Sequence, residues 1–516
     1  MISPSQSFSN KSVQKNQYFV QKTYDNSKPI SSLDYSDSVS RLRVPVSKQK
    51  MADSGRVLSI TKSQSKTNNN NNKILSNAQG NRRSAYALKN TSAKLLPAER
   101  VRFCLNHRVT ADRGVDVRLN QTNGKAGYGN LMRCDSVWVC PCCSARILAK
   151  RSSEVEKGVD TWTQAGGSVF MLTLTHKHKR TENLTQKMKL LQKALSRFFG
   201  DRAMKSIFEQ FGKVGQIKAL ETTYSETNGW HPHHHILMFS KMSPDKFLGD
   251  TVSVTYDKNG YVQYVSLERE EKLIARGRID DIKQITFEEF IKNYWIKICV
   301  SVGLGVPTLK HGVHFQNASA VKTYLTKFKT AQELTNAQAK KANGESRNQW
   351  QILADADKKQ GYFDALDSNI ELDINTQNEY RQGIKDAIRS EKLWQIYADA
   401  FKGQRQLFWS RGLKDLLLID EIADHEIEEL AELKDDEIIT VIELAVEDWG
   451  YIRKRNWQAQ LLDIVENDHK DHTDNLGIFI YSVKKLREIE RAAWEQKERE
   501  RIASLCPSDW FRGTNL

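Results

Sequence analysis

Apolar and polar positions fall into three regimes along the chain. Over residues 1–95 there is no periodicity: Ser, Asn, Gln and Lys dominate, with the tract "NNNNN" at 68–72. Such a segment cannot bury enough apolar surface to offset its ordering entropy, which predicts a disordered basic arm. In the middle of the chain, "SVFMLTLT" (168–175) alternates as a half-buried strand does. "TENLTQKMKLLQKALSRFFG" (181–200) carries apolar residues at helical spacing and ends in Gly, a C-cap residue. "GQIKALETTYS" and "HHHILMF" read as two strands joined by a turn containing "TNGW". β-rich "VSVTYDKNGYVQYVSLE", a helix near 286–301 and "VHFQNASAVKTYLTKF" follow. From about 330 the chain is mostly helical and charged, with acidic "DEIADHEIEELAELKDDE" at 420–437. The order β-α-β-β-α with antiparallel pairing predicts an α+β fold, a central antiparallel sheet with helices packed on it.

Charge sharpens this division. The 516 residues carry a net +15. Residues 1–95 hold 16 Lys/Arg against 4 Asp/Glu, residues 96–330 hold 36 against 22, and the remainder 26 against 37. The positive field therefore belongs to the front and middle of the chain, as expected for a polyanion-binding surface with an acidic appendage. No apolar run approaches the roughly 18 residues a membrane span needs. The opening "MISPSQSFSNKSVQKNQYFV" lacks the apolar core of a signal peptide. Five of the seven cysteines lie between Cys104 and Cys143, which argues for a reducing, cytosolic setting and metal binding in preference to disulfides.

Those cysteines occur in "RFCLNH" (102–107) and "CDSVWVCPCCSARI" (134–147). Zn²⁺ takes four soft or borderline ligands in a tetrahedron, commonly delivered as two pairs. Cys140 and Cys143 form one regular pair, Cys104 and Cys134 supply the other two ligands, and His107 and Cys142 stand in reserve. No activating residue accompanies them, so the expected site is a structural zinc module over residues 96–150.

"GWHPHHHILMF" (229–239) holds four of the twelve histidines. Alternate residues of a strand share a face, so His233 and His235 point one way and His234 the other. His231 has the right parity, but Pro232 makes it a strand-entry residue and a reserve ligand. Glu221, on the preceding strand, folds back beside the pair. Two imidazoles and a carboxylate make a partly open site suited to Mg²⁺, Mn²⁺ or Zn²⁺. In "AVKTYLTKFKT" (320–330), Tyr324 and Lys327 lie on one side of a helix. A phenol is a poor nucleophile, and needs a polarised electrophile or a nearby cation such as Lys327.

In order and approximate spacing, "FMLTLT", "GWHPHHHILMF" and "YLTK" resemble the three motifs of rolling-circle replication initiators, the plasmid Rep proteins of the HUH endonuclease superfamily. "CDSVWVCPCC" looks like the cysteine motif ahead of the nuclease in many of them, and "KGQRQLFWSRGLK" (402–414) resembles a downstream segment. The resemblance implies an HUH nuclease-like sheet over residues 151–330 and a metal, Mg²⁺ or Mn²⁺, on Glu221, His233 and His235. It further implies Tyr324 as the nicking nucleophile with Lys327 as its helper cation. It implies origin DNA as substrate, a covalent 5′-phosphotyrosine intermediate and a 3′-hydroxyl primer, with a host helicase and polymerase as partners. Two departures stand out: His234 occupies a position usually bulky and apolar, and Phe328 replaces a frequent second tyrosine, which favours a single-tyrosine enzyme. No G-x-x-x-x-G-K-[ST] occurs, so no nucleotide cofactor is expected.

"THKHKR" (175–180) offers His178, Lys179 and Arg180 as DNA contacts. Residues 331–516 are expected to form a helical, acidic C-terminal region. Two other readings compete: a single-tyrosine HUH transposase or relaxase, and a non-catalytic zinc-ribbon DNA-binding regulator. Relaxases usually place the tyrosine ahead of the histidines, and the regulator leaves the His-x-His, Glu and Tyr-x-x-Lys set unexplained.

Overall fold

The structure, a computed structural model, describes residues 82–316, 346–368, 372–421 and 438–505. Its centre is a mixed sheet-and-helix core. The sheet is built from β3 (Ser168–Leu174), β4 (Lys213–Ser225), β5 (Gly229–Ser240), β9 (Val313–Gln316), β10 (Ser346–Arg347) and β11 (Leu407–Trp409). The order is β10-β4-β5-β3-β9, with β11 also on β4, and every pairing is antiparallel. β9 and β10 therefore stand at opposite edges. The expected α+β class holds, with the cysteine cluster ahead of this core and a largely helical region after it.

β3 departs from the alternation expected of it: every position from Val169 to Leu174 is buried. The reason is cover on both faces. Phe170, Leu172 and Leu174 share a core with the helices Leu184–Gly200, Arg202–Gln210 and Phe287–Val302. Val169 and Met171 meet Val155 and Val159 of the helix Pro141–Gln164, together with Ile217, Ala219, Leu237, Phe239, Leu413 and Leu417. Gly200 is the last helical residue before Asp201, whose carboxylate then caps the next helix by accepting from Ala203 and Met204. The helix Phe287–Val302 begins with a reciprocal Thr286–Glu289 capping box and ends at left-handed Gly303, φ +77°.

Two small sheets flank the core. β6 (Thr251–Tyr256) joins β7 (Val262–Tyr264) and β8 (Lys283–Thr286), and β1 (Val115–Asn120) joins β2 (Lys125–Gly129) and β12 (Ile438–Leu444). The second places a strand from the predominantly helical C-terminal region against the cysteine module. The packing also differs from the linear reading at the N-terminal end. Residues 82–95, read as part of the arm, form a helix whose Ala85, Tyr86, Leu88 and Ser92 are buried. Arg82 pairs with Asp463 (3.2 Å) and Glu466, and Arg83 with Asp463 (2.9 Å), tying this helix to Gln458–Asp471. Its short apolar pattern is masked by the polar composition of the preceding 80 residues. No described helix is long and apolar enough to cross a membrane.

Candidate functional site

The β4–β5 hairpin builds the first site. Gly229 follows the turn with φ +75°, and a Cβ there would lie 2.7 Å from the Cα of Arg180, so only glycine fits both the backbone and the loop against it. The register sets Glu221 opposite His233, Thr223 opposite His231 and Ala219 opposite His235; on the other side, Thr173 of β3 faces His235. Opposed residues project to one face, so Glu221, His233, His235 and Thr173 share it with Ala219 and Leu237. Apolar cover from the helix Pro141–Gln164 reaches Ala219 and Leu237, and the polar group begins where that cover ends.

Both histidines present Nε2 to the same carboxylate oxygen: Glu221 Oε2 lies 3.7 Å from His233 Nε2 and 3.5 Å from His235 Nε2. Their other nitrogens are engaged. His235 Nδ1 bonds Thr173 Oγ1 at 2.9 Å, and His233 Nδ1 donates to the His231 carbonyl at 3.1 Å. Such contacts fix ring orientation and turn both Nε2 atoms toward the shared carboxylate. One ligand atom from each of the three residues lies within 4.8 Å of the other two, and the two separations from Glu221, 3.5 and 3.7 Å, are near the roughly 3.0–3.4 Å edges expected for bonds of about 2.1 Å. The donor set therefore fits a divalent cation. Burial pulls the His233 pKa below its ordinary value, with the Glu221 charge opposing, so the neutral, ligating form is favoured.

His231 is not part of this trio. Its ring stacks on His178 (4.3 Å between centroids) and lies 5.0 Å from that of His233, forming a ladder of rings beside the site. His234 points to the opposite face and is buried, as strand parity requires. Lys179 and Arg180 are exposed on the loop after β3, and His178 is half-buried. Sequence reasoning missed Thr173 and His176. Thr173 lies in the "FMLTLT" strand, and only the cross-strand register reveals it. His176, buried, bonds the Pro232 carbonyl (Nε2, 3.0 Å) and so pins β5 at its proline. Tyr324 and Lys327 lie outside the described residues.

The second cluster is Cys104, Cys134, Cys140 and Cys143, all buried. Cys140 caps the helix Pro141–Gln164, which brings Cys143 back beside it. The sulfurs of Cys104 stand 3.6 Å from Cys140 and 3.5 Å from Cys143, and Cys134 is 3.8 Å from Cys143. A tetrahedron with Zn–S bonds of about 2.3 Å has edges of about 3.8 Å. The cluster is therefore able to coordinate a metal through four thiolates. Burial pushes the Cys140 thiol up, whereas hydrogen bonds from Cys104, Cys134 and Cys140 hold Cys143 down; a cation would let all four ionise. Neither reserve residue joins: His107 packs edge-on to Phe103 (4.9 Å between centroids), and Cys142 is only partly buried.

A family model described as "Replication protein" matches residues 131–251, which include Cys134, Cys140 and Cys143 of the cluster, β3 and the whole β4–β5 hairpin. The chain is 24% identical over 328 residues to "Protein rep" of Streptomyces lividans, covering 56% of this chain and 64% of that protein. It is 32% identical over 139 residues to "Neomycin resistance protein" of Streptomyces cyanogenus, covering 22% and 32%. It is 24% identical over 158 residues to "Protein rep" of Lentilactobacillus hilgardii, covering 30% and 44%. The chain thus spans less than two thirds of the length of each of these relatives. No solved structure matches it. The family match over residues 131–251 and the similarity to the two proteins named "Protein rep" support a Rep-like assignment for this part of the chain.

Proposed function

We propose that the protein initiates rolling-circle replication by nicking and rejoining DNA at an origin. The observation that carries this reading is the convergence of Glu221, His233 and His235 on the uncovered end of the sheet, in a Rep-like chain. A divalent ion bound there, Mg²⁺ or Mn²⁺, supplies Lewis-acid polarisation of a phosphate oxygen. Tyr324 attacks the scissile phosphorus: the Tyr Oη–P bond forms, the P–O3′ bond breaks, and the phenol proton is lost as the 3′-oxygen gains one. Lys327 stabilises the phenolate. The products are a 5′-phosphotyrosine and a 3′-hydroxyl that primes synthesis, while unwinding falls to a host helicase. One phosphodiester replaces another, so rejoining needs no nucleotide.

Reach supports the role of Tyr324. It lies eight residues beyond Gln316, the end of β9. Eight residues extend up to about 28 Å, whereas β9 and β5 are two strand spacings apart, about 10 Å. Exposed Lys179 and Arg180, next to the ring ladder, are proposed to contact the DNA backbone. Half-buried His178 contributes through its stack on His231. The four cysteines are proposed to hold a structural Zn²⁺.

The test uses a labelled hairpin oligonucleotide, Mn²⁺ and denaturing electrophoresis. Tyr324→Phe should abolish the covalent adduct and retain DNA binding by mobility shift. An adduct formed at the wild-type level by Tyr324→Phe would refute the nucleophile assignment.

A further inference from the structure

The helix over 82–95 brings an unusual residue to the cysteine cluster. Lys89 is completely buried, within the same core that holds Cys104, Cys134, Cys140 and Cys143. Its Nζ donates to the carbonyl of Cys104 (3.2 Å) and to Oδ1 of Asn106 (3.0 Å). Both partners are neutral, and among the described residues no carboxylate pairs with Lys89. Asp135, the acid beside Cys134, is already paired with Arg146 (3.2 Å) and Arg100 (3.7 Å). A buried ammonium without a counter-charge carries a desolvation penalty of several kcal/mol. A dication on four thiolates, by contrast, leaves a net charge of −2 in the same core.

We propose that Lys89 is the internal counter-cation of the tetrathiolate centre. It is a positioning residue that holds the Cys104 loop and lowers the energy of the anionic metal site. The proposal rests on reading the cysteines as a zinc site. The coupling runs both ways. Zinc held by the four thiolates justifies burying Lys89 beside Cys104, and among the described residues loss of zinc leaves its ammonium with neutral partners. Helix 82–95 should therefore loosen when zinc leaves. A lysine that served packing alone would stay put.

The experiment uses the full chain, loaded with zinc and then stripped with a chelator. Zinc content is measured by mass spectrometry, and zinc transfer to a chromogenic chelator is timed for wild type and Lys89→Met. The variant should release zinc at least tenfold faster, while its stripped form melts no lower than stripped wild type, because a buried charge has gone. Equal transfer rates within twofold would overturn the role of Lys89. Amine labelling of the wild type gives a readout that needs no variant: Lys89 should be protected with zinc and modified after stripping. Protection unchanged by stripping would likewise overturn the proposal. Wild-type protein that takes up no zinc at the cysteines would overturn the zinc reading itself, and this proposal with it.

Discussion

The two metal-capable clusters differ in almost every physical respect. The cysteine set is fully enclosed, its sulfurs 3.5–3.8 Å apart, with neighbours on every side and no position left for a substrate atom. The Glu221–His233–His235 set offers three ligands among the described residues, and its carboxylate is 38% exposed. Closed tetrathiolate sites stabilise folds, whereas open sites with three protein ligands leave room for substrate. The contrast teaches that one chain builds both from local geometry. A helix N-terminus and short loops gather the cysteines, and one hairpin register gathers the Glu–His set.

Four perturbations test this division. Cys140→Ser should remove the closed site. Structural zinc is worth on the order of 10 kcal/mol of folding free energy, so the melting temperature should fall by tens of degrees on the scale of a few degrees per kcal/mol. A variant that melts like wild type would deny the closed site its structural role. Glu221→Ala should leave melting unchanged and lower the nicking rate by roughly a thousandfold, the equivalent of about 4 kcal/mol of lost transition-state stabilisation. An equal loss of stability would erase the difference between the two clusters.

Thr173→Val keeps the shape and removes the partner of His235 Nδ1. Mn²⁺ affinity, followed by calorimetry, should weaken by about 10–100-fold. Unchanged affinity would show that the ring is held by packing alone. The smallest effect concerns pH. Burial pushes His176 down to about 4 and His234 down to about 3, so both stay neutral in the fold while their unfolded forms titrate near the ordinary value. Between about pH 6.5 and 4 the unfolded chain therefore binds more protons, and stability falls as pH falls, by up to about 1.4 kcal/mol per unit for each group. Denaturation by urea at pH 7 and pH 5 should show this slope, shallower in His176→Asn. An identical slope in the variant would show that His176 does not contribute.

The site was legible in the sequence because its key relation is periodic. Period-two parity separates His233 and His235 from His234, and a short hairpin loop returns Glu221 beside them. The cysteine set was legible as chemistry, since thiol ligands are scarce and cluster visibly. Relations set by tertiary packing were not. The strand at 438–444 pairs with β1 across more than 300 residues of chain, and nothing local announces it. Thr173 is an ordinary strand threonine until β3 is laid against β5. Lys89 reads as one more cation in a basic segment, and only its burial distinguishes it. "SVFMLTL" looked half-buried, because a strand covered on both faces is a matter of its neighbours.

Strand scission itself tests the role of the Glu221–His233–His235 site most directly. Wild-type protein, freed of metal and then given Mn²⁺, is incubated with an end-labelled hairpin oligonucleotide alongside His233→Ala and His235→Ala. Wild type alone should give a single nick and a protease-sensitive covalent adduct, and neither should form without added metal. Equal nicking by the histidine variants, or by wild type in the presence of excess chelator, would contradict that role.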